Sequence, residues 1–187
     1  MLHWPDSMFT YIPEDALLLP NDAFGLHLAS TARFDDEVDP CLLMDEAAKY
    51  YANILMPFGN LISKKLAEVQ QAGLDIKTIA PSHGIIWRQN PGMIVEAYAR
   101  WAEGKGKPKA IIAYDTMWHS TEKMARALMD GIVAGGCEVK LFKLSVSDGS
   151  DIIKEVLDAR AILVGSPTIN NYLLPAVSSF LDDLIGL

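Results

Sequence analysis

Apolar and polar positions along this chain fall into two regimes, meeting near residue 104. Before it the pattern is mixed. Met8 to Ile12 and Ala16 to Leu19 are short apolar runs separated by Pro13-Glu14-Asp15, the spacing of a hairpin. "NDAFG" follows as a turn-rich loop, and the acidic stretch Ala32 to Pro40 reads as a surface loop. Asp45 to Ala72 has helical periodicity, with Tyr51, Leu55, Phe58, Ile62, Leu66 and Val69 three and four apart, a break near Pro57 and Gly59, and Gly73 as the stop. Ile76 to Pro81 reads as a strand and Pro91 to Glu103 as a helix.

"EGKGKP", Glu103 to Pro108, is the best linker. After it, strands alternate with helices. Strands are predicted at Ala110–Tyr114, Glu138–Leu144 and Ala161–Gly165. Helices are predicted at Ser120–Ala134, Ser150–Ala159 and Leu174–Leu184. Three β–α units in succession imply a parallel sheet covered on both faces.

Composition narrows the classes. Among 187 residues there are 24 acids and 16 bases, a net charge of −8. Phosphate backbones need a basic face, so a nucleic-acid partner is not expected. Cys41 and Cys137 form no CxxC pair, which argues for reduced thiols in a cytoplasmic protein. The N-terminus lacks the pattern of a signal peptide, and there is no apolar run of membrane-spanning length. The methionines Met124 and Met129 read as core-facing, and Cys137 as a small apolar filler. The run Asp35, Asp36, Glu37, Asp39 has no metal-loop spacing and reads as solvated.

In an open α/β sheet, ligands sit beyond the carboxyl ends of the strands. Two loops leave in that direction. The first, Thr116, Met117, Trp118, His119, Ser120, Thr121, offers three hydroxyls at a helix N-terminus and contains no lysine or arginine. It suits a phosphate monoester better than a nucleoside triphosphate, and the GxxxxGK[ST] pattern is missing. Plain helix capping is the other open reading, although Ser120 with Lys123 makes no capping box. The second loop, Ser166, Pro167, Thr168, Ile169, Asn170, Asn171, is polar and fits the edge of a flat heterocycle, with Trp118 and Tyr172 as stacking candidates or partial core.

"YDTMWHSTEKMA" and "VGSPTINNYLLPAV" resemble the two FMN loops of the flavodiiron (A-type flavoprotein) family. "LHWPDSMFTY", "NDAFGLH" and "APSHG" resemble the later part of that family's metallo-β-lactamase-like domain. The resemblance implies an α/β chain. Residues 1–104 would be the C-terminal part of a metallo-β-lactamase-like αββα domain, and residues 109–187 the first part of a flavodoxin-like parallel-sheet domain. It also implies FMN and two non-haem irons as cofactors. The reaction would be reduction of dioxygen to water or nitric oxide to nitrous oxide. A rubredoxin-like or other donor protein would supply electrons, and the protein would be a head-to-tail homodimer. By the same resemblance the Thr116–Thr121 hydroxyls hold the FMN phosphate. His3 and His83 ligate one iron each, and Asp22 bridges them. Histidine and carboxylate suit iron chemically. His27 is a structural or supporting histidine, and Trp4 a wall of the metal pocket or a core residue.

The family's HxExDH motif, source of most remaining iron ligands, does not occur here. A flavodoxin-like sheet has about five strands, against three predicted. The expectation is therefore a central stretch of the family's sequence, either a fragment or a chain completed by others. Iron would be held weakly by this stretch alone. A non-catalytic FMN carrier on a metal-free scaffold is the alternative, and an inactive fragment a third.

Overall fold

The computed structural model describes residues 4–186. The chain divides into two compact units, Met1–Gly104 and Lys105–Leu187.

In the first unit, strands β1 (Thr10–Ile12) and β2 (Leu17–Leu19) are antiparallel, joined by a 3-10 turn at Pro13–Asp15. The two-residue β3 (Thr78–Ile79) pairs parallel with β2, much shorter than the predicted Ile76–Pro81. The helical stretch predicted from Asp45 begins earlier and is two helices, α1 (Pro40–Ile54) and α2 (Gly59–Gln71), separated by a 3-10 turn at Met56–Phe58. The earlier start has a local cause. Asp39 accepts from the amides of Cys41 and Leu42, and Pro40 occupies the first turn, where its missing N–H costs nothing. Helix α3 spans Pro91–Ala102. Leu43, Ala47 and Tyr51 of α1 are buried, as are Ile94, Ala97 and Tyr98 of α3. Tyr51, Tyr98 and Trp101 pack ring on ring, with centroids 5.0 to 5.7 Å apart.

The acidic run is not a solvated loop throughout. Asp35 is buried and accepts from the backbone amides of Arg88, Gln89 and Asn90. Asp36 binds the Arg88 guanidinium through both oxygens, and Arg88 also lies 3.6 Å over the Phe34 ring. Four acids close together thus serve as two backbone clamps (Asp35, and Glu37 on the Arg33 and Phe34 amides), an arginine fork and a helix cap.

The second unit is a parallel sheet of β4 (Lys109–Tyr114), β5 (Glu138–Lys143) and β6 (Ala161–Gly165), in the order β5-β4-β6. Helices α4 (Ser120–Ala134), α5 (Gly149–Val156) and α6 (Pro175–Ile185) follow the strands in turn. All six β4 residues are buried, as a central parallel strand requires. The flanking strand is less covered than expected, since Ile162 and Val164 of β6 are each 38% exposed. Met129 packs against the core of Ile112, Tyr114 and Ala125. Met124 is instead 67% exposed, and Cys137 is exposed rather than filling a gap; Cys41 is a free, exposed thiol as well.

At the amino end of β4 a buried lysine organises a charge network. Lys109 pairs with Glu155 and Asp158, while Lys140 reaches Glu155 and Lys107 reaches Asp158, both at 2.7 Å. Burial acts to raise both carboxyls, and the lysine pairings more than offset it, leaving both below their ordinary values. Carboxyls depressed in the fold stabilise it above their ordinary values and lose that contribution as pH falls through the depressed ones. Replacing Lys109 by Met is expected to cost about 2 kcal/mol near neutral pH, because two partly buried carboxylates lose their central partner. The difference from the unaltered chain should shrink as the carboxyls protonate. Urea unfolding near neutral pH and in acid, below the ordinary carboxylate range, checks this. An equal loss at both pH values would contradict it.

Candidate flavin loops and a carboxylate–imidazole pair

The register of the second unit sets Tyr114, Lys143 and Gly165 level at one edge. The loops after β4 and β6 therefore leave adjacent strands side by side. Gly165 sits close there, since a Cβ would lie 3.0 Å from the Thr121 Cγ2 and 3.2 Å from the Tyr114 Cβ and these side chains would have to give way.

In the first loop, Asp115 is buried and its Oδ1 accepts from the Thr116 amide at 2.7 Å. Thr116 turns its Oγ1 inward, where it is buried with no hydrogen-bond partner. A buried hydroxyl left unpaired costs about 1–3 kcal/mol, so such an atom calls for a ligand. The capping reading fails for these hydroxyls. The residue before α4 is His119, in the left-handed region (φ 62), and no side chain caps the helix. Thr121 is buried and Ser120 exposed at that N-terminus. His119 Nδ1 lies 2.9 Å from Glu122 Oε2, and Glu122 also takes Arg126. The His119 and Arg126 hydrogen bonds hold the Glu122 carboxyl below its ordinary range. Met117 and Trp118 are exposed, the latter by 85%, so Trp118 is no core residue.

The second loop is tighter than an extended strip. Ile169 and Tyr172 exchange two backbone hydrogen bonds across Asn170 and Asn171, both at positive φ (49 and 61). That is the asparagine-rich turn which tolerates left-handed backbone at both central positions. Ser166 Oγ donates to the Pro167 carbonyl and accepts from the Leu174 amide, so it braces the loop. Thr168, Asn170, Asn171 and Tyr172 are exposed.

In the first unit, Asp22 and His83 are brought together although 61 residues separate them. His83 Nε2 lies 3.2 Å from Asp22 Oδ1, which also accepts from Ser82 Oγ at 2.6 Å. His27 joins them, its ring centroid 5.8 Å from that of His83 and 5.0 Å from that of Tyr50. Burial, aided by the Asp22 charge, pushes the Tyr50 phenol up to about 12, so it stays protonated across the physiological range. The third residue read as a ligand, His3, lies outside the described residues. Asp22 and Trp4 both line a cavity of about 570 Å³ bounded by Phe24, Leu61, Ile62 and Tyr98.

The turn that presents Asp22 is strained. Asn21 and Phe24 both have positive φ (58 and 68). Asparagine tolerates this, but for phenylalanine it costs roughly 1–2 kcal/mol. Across from it, Gly84 has φ 79, and a Cβ there would meet the Leu26 carbonyl oxygen at 2.3 Å. These constraints escaped the sequence reading; the glycine after His83 was the available signal.

The donor sets can be set against the two cofactors. A loop holding a buried hydroxyl without a partner and leading into a helix N-terminus with no side-chain cap fits a phosphate in kind. Carboxylate and imidazole fit iron in kind. Among the described residues, however, no group of three or more His, Cys, Asp or Glu is placed to hold a metal ion, so the pair is not a complete site. No described helix is long and apolar enough to cross a membrane.

A family profile described as Flavodoxin matches residues 112–186. A nitric oxide reductase from Moorella thermoacetica is 79% identical over 187 residues, covering 100% of this chain and 47% of that protein. Rubredoxin oxygen:oxidoreductase from Desulfovibrio gigas superposes with a TM-score of 0.96 at 40% identity, covering 100% of this chain and 47% of that one. The flavodiiron protein from Giardia intestinalis gives a TM-score of 0.91 at 38% identity, over 99% of this chain and 45% of that one. The fold is thus a flavodoxin-like parallel α/β unit preceded by a metallo-β-lactamase-like part. Over its whole length the chain is similar to flavodiiron proteins, and it spans about half the length of the curated relatives it matches.

Proposed function

We propose that this chain is the flavin-loop and partial metal-site portion of an FMN- and diiron-dependent reductase of nitric oxide, dioxygen or both. The observation that carries this is the 79% identity, sustained over the whole chain, to a nitric oxide reductase. In this reading residues 1–104 belong to the lactamase-like domain and 109–187 to the flavodoxin-like domain. Bound FMN would supply electron-relay chemistry for a donor protein, and iron would supply the chemistry of gas reduction.

The chain's own residues have narrower tasks. Thr116, Ser120 and Thr121 donate hydroxyl hydrogens to the phosphate, and the N-terminus of α4 adds its dipole. Met117, Trp118 and His119 complete that loop. Ser166, Pro167, Thr168, Ile169, Asn170 and Asn171 border the flavin ring. Asp22 and His83 present an anionic oxygen and an imidazole nitrogen to iron, with His3 as a third ligand. A rubredoxin-like donor, a head-to-tail homodimer and a cytoplasmic location complete the proposal.

The test is a cofactor and turnover assay on a protein carrying this stretch within the full length of its relatives. One FMN and two irons per subunit, with anaerobic nitric oxide or oxygen consumption from a reduced donor, are expected. Flavin without iron and without turnover would sink the reductase reading and leave an electron carrier. The 187 residues alone are expected to hold iron weakly, since Asp22, His83 and His3 are too few donors for two ions.

A further inference from the structure

We propose that Tyr98 and Trp87 are positioning residues for Asp22, acting through the backbone of Phe24; this rests on reading Asp22 as a metal ligand. Asp22 sits two residues before a phenylalanine in the left-handed region. An L-aromatic residue does not stay there without being held. Two buried side chains grip that one residue from opposite sides. The Phe24 amide donates to Tyr98 Oη at 3.1 Å, and Trp87 Nε1 donates to the Phe24 carbonyl at 2.9 Å. The Phe24 ring lies on Tyr98, with centroids 4.8 Å apart.

Both grips are anchored in the core. Tyr98 is 2% exposed on α3. Trp87 is fully buried and exchanges two backbone hydrogen bonds with Ile79 of β3. Burial holds the Tyr98 phenol far above its ordinary range, so its oxygen remains a neutral acceptor.

The strained residue passes its position on to the carboxylate. The Gly25 amide donates to the Asp22 carbonyl, and the Ser82 amide to the Asn21 carbonyl. Gly25 leaves no spare room, because a Cβ there would meet Asp22 O at 3.0 Å and His83 O at 3.1 Å. Releasing Phe24 to negative φ therefore swings Asp22 away from Ser82 and His83. Neither Tyr98 nor Trp87 needs to touch a metal for this.

The experiment is amide exchange by NMR in Tyr98→Phe and Trp87→Phe, each of which removes one polar atom and keeps an aromatic ring. The Ser82 amide donates to the Asn21 carbonyl and the Gly25 amide to the Asp22 carbonyl. The Gly25 N–H shares its peptide group with the Phe24 carbonyl that Trp87 holds, which makes Ser82 the more independent probe. Both amides are expected to exchange about tenfold faster, while those of Leu43 and Ile94 hold within about twofold. Unchanged exchange at Gly25 and Ser82 overturns the proposal. So does uniform acceleration at all four, which would assign the pair to folding. Titration with Mn²⁺ separates the underlying reading. If paramagnetic broadening at Asp22 and His83 never develops in a protein carrying this stretch, unaltered, within the full length of its relatives, the metal-site assignment fails, while the exchange result still decides whether the turn is held this way. Where broadening develops, both variants are expected to need about tenfold more Mn²⁺.

Discussion

FMN is expected to bind about a hundredfold more weakly to a protein carrying Ser120→Ala and Thr121→Ala together, while riboflavin, which lacks the phosphate, loses little. Hydrogen bonds to a charged acceptor contribute roughly 1.5–3 kcal/mol each, so two lost hydroxyls amount to about 3 kcal/mol or more. Thr121 is buried and its methyl stands near Gly165, so Thr121→Ser, which keeps the hydroxyl, controls for packing. Thr116→Val gives the opposite sign in two measurements. It removes the unpartnered Oγ1, so the apo chain should unfold at equal or slightly higher urea. FMN affinity should fall about tenfold. Fluorescence titration of both flavins reads these outcomes. Equal losses for FMN and riboflavin would remove the loop from the phosphate.

The second large effect is expected at Gly84. An alanine there must adopt φ 79 and place its Cβ 2.3 Å from the Leu26 carbonyl oxygen, a backbone atom that cannot step aside cheaply. Left-handed strain and overpacking together are expected to cost about 3 kcal/mol. Gly73→Ala is the comparison, since Gly73 has φ 62 and nothing within 4 Å of its Cβ. It should cost only about 1 kcal/mol, from conformation alone. Thermal or urea unfolding of the two variants separates space from strain. Equal losses would mean that the chain relaxes freely around Leu26.

How far the sequence could be read depended on which interaction decided each feature. The second unit was legible because its central strand β4 is buried along its whole length. A run as apolar as Ala110–Tyr114 between helical periods has few alternatives to a central parallel strand. The first unit was less so. A two-residue strand such as Thr78–Ile79 is defined by its partner β2, and no local pattern announces it. Asp35 and Asp39 looked like solvated acids because charge is visible in a sequence, whereas the amides that neutralise it are not. Met124 has the apolar character of a core residue but lies on an exposed part of α4. At the candidate sites the residue types were visible and the constraints were hidden. Nothing in "DAFG" says that the phenylalanine is left-handed, and nothing in "YDTM" says that the threonine oxygen faces inward.

The sheet order β5-β4-β6 has a consequence for how such a protein can be altered by selection or by design. Both proposed flavin loops are hung from neighbouring rungs of one hydrogen-bonded ladder, so the gap between their roots is one interstrand spacing, about 4.8 Å. That gap cannot be tuned gradually, because any change in it breaks backbone hydrogen bonds along a buried strand. Variation in what the loops recognise is therefore channelled into loop length and side-chain chemistry. Transplanting residues 115–121 and 166–174 as a pair into another parallel sheet with the same neighbour relation should carry the spacing with them. Moving either loop alone to a non-adjacent strand should not.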